Sequence, residues 1–206
     1  MRHLISGRWP AILAPSRTLS MTLRCDGGDI SQVVNGIASR YNTMPFTPAT
    51  ICVDDKVSDE ELTALLHRAY VDAGFTDPTV AEKLFAPDAV RARGTIITAR
   101  DSENGRLLGI VILVAPYGAA RQIAVDSEAE MHLLAVSPDS RRQGVGRRLV
   151  DTLIELAISR EWQRVVLSTQ EHMRAAQALY KQAGFSRAPE RDWMRADRRF
   201  LVFVRA

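Results

Sequence analysis

The sequence predicts an α/β layered domain built on a mixed sheet. Three observations predict it. Strand-length apolar runs and segments with helical spacing follow one another as strand, two helices, three strands, helix, strand, helix, strand. Capping and stop signals stand at the ends of those segments. With 206 residues, 46% hydrophobic and 25% charged, there is enough apolar material for one core and too little length for two full-sized domains.

Residues 1–49 carry no sustained period of either kind and hold Pro10, Pro15, Pro45 and Pro48. They read as an extension that is disordered, starts too early, or serves targeting, since the first 25 residues have four Arg, three Ser and no acid. Residues 50–206 read as the folded domain. Ile51-Cys52-Val53 is a short strand. Ser58-Asp59-Glu60-Glu61 is a capping box, and Leu62, Leu65, Leu66, Ala69, Tyr70 and Ala73 follow at helical spacing before Gly74, a helix-ending residue. Asp77-Pro78 starts a second, short helix ending before Pro87.

Gly94 to Arg100 and Leu107 to Val114 read as strands joined by a turn with Asn104-Gly105. A loop with Pro116 and Gly118 leads to a strand over Glu128 to Ser137, which Pro138 stops. Gly144 to Ser159 is a helix with Leu149, Leu153, Leu156 and Ala157 on one face. Val165 to Ser168 is a buried strand, Met173 to Ala183 a helix closed by Gly184, and Phe200 to Val204 a last strand.

Composition narrows the function. The longest apolar run, Leu107 to Ala115, falls short of the ~20 residues a membrane-crossing helix needs, so no membrane partner is expected. The net charge of +3 lies wholly in the first 50 residues, which hold five Arg and two Asp; the remainder has 22 basic and 22 acidic residues. A neutral body argues against a broad surface for nucleic acid. Cys25 and Cys52 form no CxxC pair and the four histidines show no ligand spacing, so no metal is expected. Such cysteine usage suits a reducing compartment, taken here as the cytoplasm.

The segment that carries chemistry is Leu133-Leu134-Ala135-Val136-Ser137-Pro138-Asp139-Ser140-Arg141-Arg142-Gln143-Gly144-Val145-Gly146-Arg147-Arg148-Leu149. It reads as a buried strand, a hard stop, a glycine turn and the first turn of a helix. Orphan N–H groups and the positive end of the dipole make such a helix start an anion site. Gly144 and Gly146 would allow a close ligand approach, and four Arg supply planar forks for phosphates. A P-loop is excluded because Arg147-Arg148 follows Gly146, and a dinucleotide fingerprint because position 149 is Leu149.

Further on, Leu167-Ser168-Thr169 and the run Ala176-x-x-Leu179-Tyr180-x-x-x-Gly184-Phe185 follow Arg141-x-x-Gly144-x-Gly146. Together these motifs resemble the GNAT superfamily of acetyl-CoA-dependent N-acetyltransferases over roughly residues 51–206, most strongly 128–185. The resemblance implies a mixed, mostly antiparallel central sheet flanked by about four helices and splayed between strands 4 and 5. It implies acetyl-CoA as cosubstrate, an amine acceptor as partner, and direct attack of the amine on the thioester. A homodimer is compatible with it. One departure is Met173, where many members have an Asn that touches the cofactor.

Residue by residue, the resemblance implies that main-chain N–H groups of Arg142, Gln143, Gly144, Val145, Gly146 and Arg147 cradle the pyrophosphate, with Arg141 opening the loop. Leu134 and Val136 would pair with the pantetheine arm, the Leu134 N–H polarising the thioester carbonyl. A lysine-like acceptor has a pKa near ~10.4, so freeing its lone pair at neutral pH costs about 4–5 kcal/mol. Glu130 is the expected base, provided burial raises its pKa; Glu128 and His132 compete with it. Counting by twos sets Glu130, His132, Leu134 and Val136 on one strand face. Tyr180 is the expected acid for the departing thiolate. Phe75, Asp192-Trp193 and the loop around Tyr117 are candidate acceptor-pocket residues. A small-molecule amine is slightly favoured over a protein amine, and the alternative is an acyl-CoA-binding regulatory module without turnover.

Overall fold

A computed structural model describes residues 48–54 and 56–206. The expected extension therefore lies almost wholly outside the described residues. The chain runs β1 (Ala49–Val53), α1 (Asp59–Leu66), α2 (Pro78–Leu84), α3 (Pro87–Arg91), β2 (Thr95–Asp101), β3 (Leu107–Val114) and β4 (Glu128–Val136). It continues through α4 (Val145–Ser159), β5 (Arg164–Gln170), α5 (Arg174–Gln182), β6 (Ser186–Arg187), β7 (Trp193–Arg195) and β8 (Arg198–Arg205). The sheet order is β1-β2-β3-β4-β5-β8-β6, and off this path β7 also pairs with β8. Every pairing is antiparallel except β4 with β5.

Local sequence explains most of these elements. Ser58 accepts from the Glu61 N–H while Glu61 reaches back to the Ser58 N–H, so α1 starts where the capping box predicts. Asp77 caps α2 with Pro78 in its first turn. As expected, α2 ends before Pro87, at Leu84; the sequence analysis did not foresee that Pro87 then opens a separate helix, α3, with Ala86 pushed out of the helical region ahead of it. The α1 spiral widens into a π-helical turn over His67–Val71. The two-residue β6 and three-residue β7 carry no mark in the sequence, and β8 extends the expected strand over Phe200 to Val204 by residues at each end. Their tightest turn places Ala196 at φ 51 with no glycine to mark it.

Two apolar layers sandwich the sheet. Leu149, Val150 and Leu153 of α4 pack on one face with Val111, Met131, Leu167 and Phe203. On the other face Leu62, Leu66 and Phe85, from the α1–α3 region, pack with Ile110, Ile112 and Ala135. A bulge in β4 sets which residue goes where. Ile112 pairs with His132 and Ile110 with Ala135, so Leu133 and Leu134 both oppose Val111, with Leu133 at φ 48.

The extra residue overturns the count by twos. Met131, Leu134 and Val136 lie toward the α4 layer, while Leu133 and Ala135 lie toward the α1–α3 layer. Glu130 and His132 therefore do not share a face with Leu134 and Val136. The parallel register of β4 and β5 runs from Glu128↔Arg164 to Met131↔Leu167 and stops. Both strands continue, β4 to Val136 and β5 to Gln170, and their continuing halves splay into a cleft.

Candidate active site

The cleft between the diverging halves of β4 and β5 holds about 800 Å³ of empty space counted to its open mouth. Leu133, Leu134 and His132 line it from β4, Ser168, Thr169 and Gln170 from β5, and Tyr180 and Met173 from the α5 side. From Leu134 onward the β5-facing edge of β4 has no strand partner among the described residues, which leaves backbone groups for an extended ligand. The Tyr70 hydroxyl donates to the Leu134 carbonyl at 2.9 Å and so holds the bulge in place.

α4 opens on the glycine turn that the sequence analysis singled out. Arg142 at φ 59 and Gly144 at φ 76 are both left-handed, and only at Gly144 does that conformation go without a side-chain penalty. The Arg148 N–H donates to the Gly144 carbonyl, which leaves the N–H groups of Val145 and Gly146 as donors at the helix start. This donor set and the free β4 edge fit an extended thioester with a pyrophosphate.

The structure adds two facts about the turn. A Cβ on Gly146 would stand 3.3 Å from Leu179 and 3.4 Å from Val136, so that glycine lets α4 seat against β4 and α5. The four Arg are not equally placed either. Arg147 is bound to Asp151 at 2.8 Å and to the Gln182 carbonyl, and Arg148 to the Ala49 carbonyl. Arg141 and Arg142 remain exposed at the mouth of the turn. Gln143 donates to the Asp139 carbonyl at 2.8 Å.

Glu130 is 1% exposed, and its environment differs from the one the sequence reading required. One carboxylate oxygen accepts from the N–H groups of Gln122, Ile123 and Ala124 at 2.8–3.1 Å, and the other meets His132 Nε2 at 2.9 Å. Burial alone would raise its pKa; the His132 contact and the backbone donors outweigh burial and hold the carboxyl below its ordinary value. Glu128 is likewise engaged, by a two-pronged Arg191 pair at 2.7 and 3.0 Å and by the Val125 N–H. Burial opposes these contacts and they prevail, leaving its pKa lowered as well. Neither carboxylate lines the cleft.

His132 does line it. With Nε2 on Glu130, its Nδ1 is buried and has no hydrogen-bond partner among the described residues. Tyr180 lines the opposite wall, packed edge-on against Phe185, and its hydroxyl makes no hydrogen bond with the described residues. Burial, helped by nearby Tyr70, pushes its pKa far above the ordinary tyrosine value, so the phenol stays protonated. No arginine lowers it, contrary to the condition set from sequence. Met173 sits in the lining where family members often carry Asn, with its sulfur accepting from the Thr169 hydroxyl at 3.7 Å.

Of the other candidates, Phe75 acts through its carbonyl, which takes donors from Gln170 at 2.9 Å and Arg198 at 2.6 Å and ties the α1 end to β5 and β8. Trp193 stacks on Phe200, a lining residue, at 4.5 Å. Tyr117 is 74% exposed and outside the lining, and Asp192 is taken by Arg187 and Arg199. Sequence reasoning missed Tyr70, Arg93 and Arg195. Tyr70 looked like one more apolar position of α1, and no local pattern marks either arginine.

The lowered carboxylates give a pH prediction. Glu128, Glu130 and Asp192 bind protons more weakly folded than unfolded, so their contribution is complete above the unfolded value near ~4 and is lost as pH falls through the folded values. Urea unfolding should show equal midpoints at pH 7 and 6 and a steep fall below about pH 4. Equal midpoints at pH 7 and 3 would refute the assignment.

Among the described residues no group of three side chains suited to a metal ion occurs, and no helix is long and apolar enough to cross a membrane. The model of the acetyltransferase (GNAT) family matches residues 60–185. N-acetyltransferase family 8 member 3 of Rattus norvegicus is 31% identical over 187 residues, 91% of this chain and 63% of that protein. The [ribosomal protein bS18]-alanine N-acetyltransferase of Escherichia coli K12 is 33% identical over 87 residues, 42% of this chain and 53% of that protein. The chain thus spans roughly half to three-fifths of the curated relatives it matches.

Solved structures share the fold. The ribosomal-protein-S18-alanine N-acetyltransferase of Escherichia coli superposes with a TM-score of 0.55 at 23% identity, covering 76% of this chain and 92% of that one. A Bacillus subtilis acetyltransferase in complex with CoA gives 0.53 at 20% identity, covering 76% and 97%.

Proposed function

Because this chain belongs to the acetyltransferase (GNAT) family, we propose that it transfers an acetyl group from acetyl-CoA to a primary amine, a small molecule in preference to a protein. Residues 50–206 form the transferase domain in this reading. The observation that carries it is the unpaired β4 edge leading, through Val136, into the left-handed turn at Gly144. Leu134 and Val136 hold the pantetheine arm as an added strand, and main-chain N–H groups from Arg142 to Arg147 hold the pyrophosphate, with the Arg141 and Arg142 forks outside.

Acetyl-CoA supplies the acetyl group as an activated thioester. The Leu134 N–H, set by the bulge, faces the charge that develops on the carbonyl oxygen. Proton removal from the amine falls to His132. Tyr70, Arg93, Tyr180 and Arg195 are the other ionisable side chains in the lining, and none of them accepts a proton at neutral pH. Glu130 accepts from Nε2, fixes the tautomer and turns the Nδ1 lone pair into the acceptor, reached through one water at the cleft wall. Glu130 is therefore a positioning residue. Tyr180, protonated by burial, donates from its hydroxyl where the sulfur leaves.

One experiment tests the reading. Calorimetry with acetyl-CoA and thiol release over an amine panel are run on the wild-type chain and on Tyr180→Phe. Binding with amine-dependent release is expected, and the variant should lose about 10-fold or more in kcat with little change in coenzyme affinity. Binding without release for any amine favours the regulatory module instead, and unchanged kcat dismisses Tyr180.

A further inference from the structure

The cleft carries two guanidinium groups and no acid. Arg93 and Arg195 both line it, and no Asp or Glu does. Several other arginines are matched to carboxylates, among them Arg100 to Glu61 and Asp54, Arg187 to Asp192, and Arg191 to Glu128. Among the described residues Arg93 and Arg195 have no such partner. Arg93 donates one N–H to the Leu84 carbonyl at 2.8 Å. The Arg195 guanidinium carbon stands over the Trp193 and Phe200 rings, 5.0 and 6.0 Å from their centres, which positions it without neutralising it.

Both come from the side of the sheet opposite α4. Arg93 follows α3, whose Val90 packs in the α1–α3 layer. Arg195 closes β7, whose Trp193 packs on Val166 and Val202, away from the α4 layer. The glycine turn belongs to α4, so the two arginines stand across the cleft from it, where the second substrate enters. Gln170 adds a further observation: it is 8% exposed and lines the cleft, its Nε2 is committed to the Phe75 carbonyl, and its Oε1 has no partner.

From this arrangement we infer that the acceptor is an amine that itself carries a carboxylate, held by Arg93 and Arg195, with an amine N–H donated to Gln170 Oε1. The inference rests on the acetyl-transfer reading and specifies its acceptor. The physical reason is charge balance. An acceptor with ammonium groups alone meets two positive charges and no negative one in a partly enclosed cleft. A neighbouring carboxylate offsets that repulsion and suits the planar forks of arginine. The same pair of charges disfavours the ammonium form of the bound amine, which assists the deprotonation the reaction needs. Leu84, Phe85 and Phe200 beside them suit an apolar substituent on the acceptor.

The test uses ligands that differ only in the carboxylate. Calorimetry on the full chain loaded with coenzyme A compares N-acetylphenylalanine with N-acetylphenethylamine. At least tenfold tighter binding of the carboxylate is expected. Arg195→Gln, at an exposed position that tolerates change, and Arg93→Gln should each reduce that preference at least threefold, with Arg93→Lys retaining part of it. Equal binding of the two compounds, or a preference that survives in both Gln variants, overturns the inference. Thiol release with phenylalanine and with phenethylamine separates the two readings. Preferential binding of the carboxylate with no release sinks the transferase reading and leaves the anion site. Release with phenethylamine as fast as with phenylalanine, without a binding preference, does the reverse.

Discussion

His132→Gln is expected to lower kcat by about 10²–10⁴-fold, the range a positioned acid or base contributes, with the affinity for acetyl-CoA unchanged. Gln is chosen because its amide N–H can replace the Nε2 donor that meets Glu130 at 2.9 Å, so the buried acceptor keeps a partner. What the variant removes is the second nitrogen, Nδ1, which has no partner among the described residues. Steady-state kinetics and calorimetry read the result. Loss of rate with acetyl-CoA affinity retained supports proton transfer through His132. A kcat within threefold of wild type would dismiss it.

Glu130→Ala should destabilise the fold by about 3–5 kcal/mol, the cost of removing one partner from a buried charged network. Four donors lose their acceptor: the N–H groups of Gln122, Ile123 and Ala124 and the His132 ring. The Glu130 side chain they meet is 1% exposed, so water does not readily replace it. For a chain of this length Tm should fall by about 6–20 °C. Glu130→Gln keeps one oxygen for the three N–H groups and should lose less stability while still slowing turnover, since it no longer fixes the His132 tautomer. A base that touched substrate would behave otherwise: Glu130→Ala would then fold as stably as wild type and be inactive.

At Glu130 local and long-range contributions part. Its place on the strand that ends at the glycine turn was legible, because a run of apolar residues, a proline stop and two glycines are all local signals. Its occupancy was not, since three of its donors come from the 122–124 loop, which no periodicity marks. The condition set from sequence, that burial raise its pKa, considered desolvation without the donors that outweigh it.

The same division runs through the domain. Ser58 with Glu61, Asp77 with Pro78, and Gly144 act on backbone groups within a few residues of themselves, so α1, α2 and α4 begin where the sequence says. The bulge at Leu133 follows from the match of β4 to β3, and a strand cannot reveal its partner's register. That one inserted residue moved Leu134 and Val136 to the face opposite Glu130 and His132. Tyr70 reaches Leu134 across 64 residues of chain, and Arg93 and Arg195 enter one cleft from elements that never adjoin in sequence. By itself the sequence determined the principal strands and helices, their order and the glycine turn, which short-range capping, turn chemistry and periodicity specify. Which side chains share the cleft, and in which charge states, was decided only when distant segments packed together, because burial and charge pairing are properties of the assembled fold.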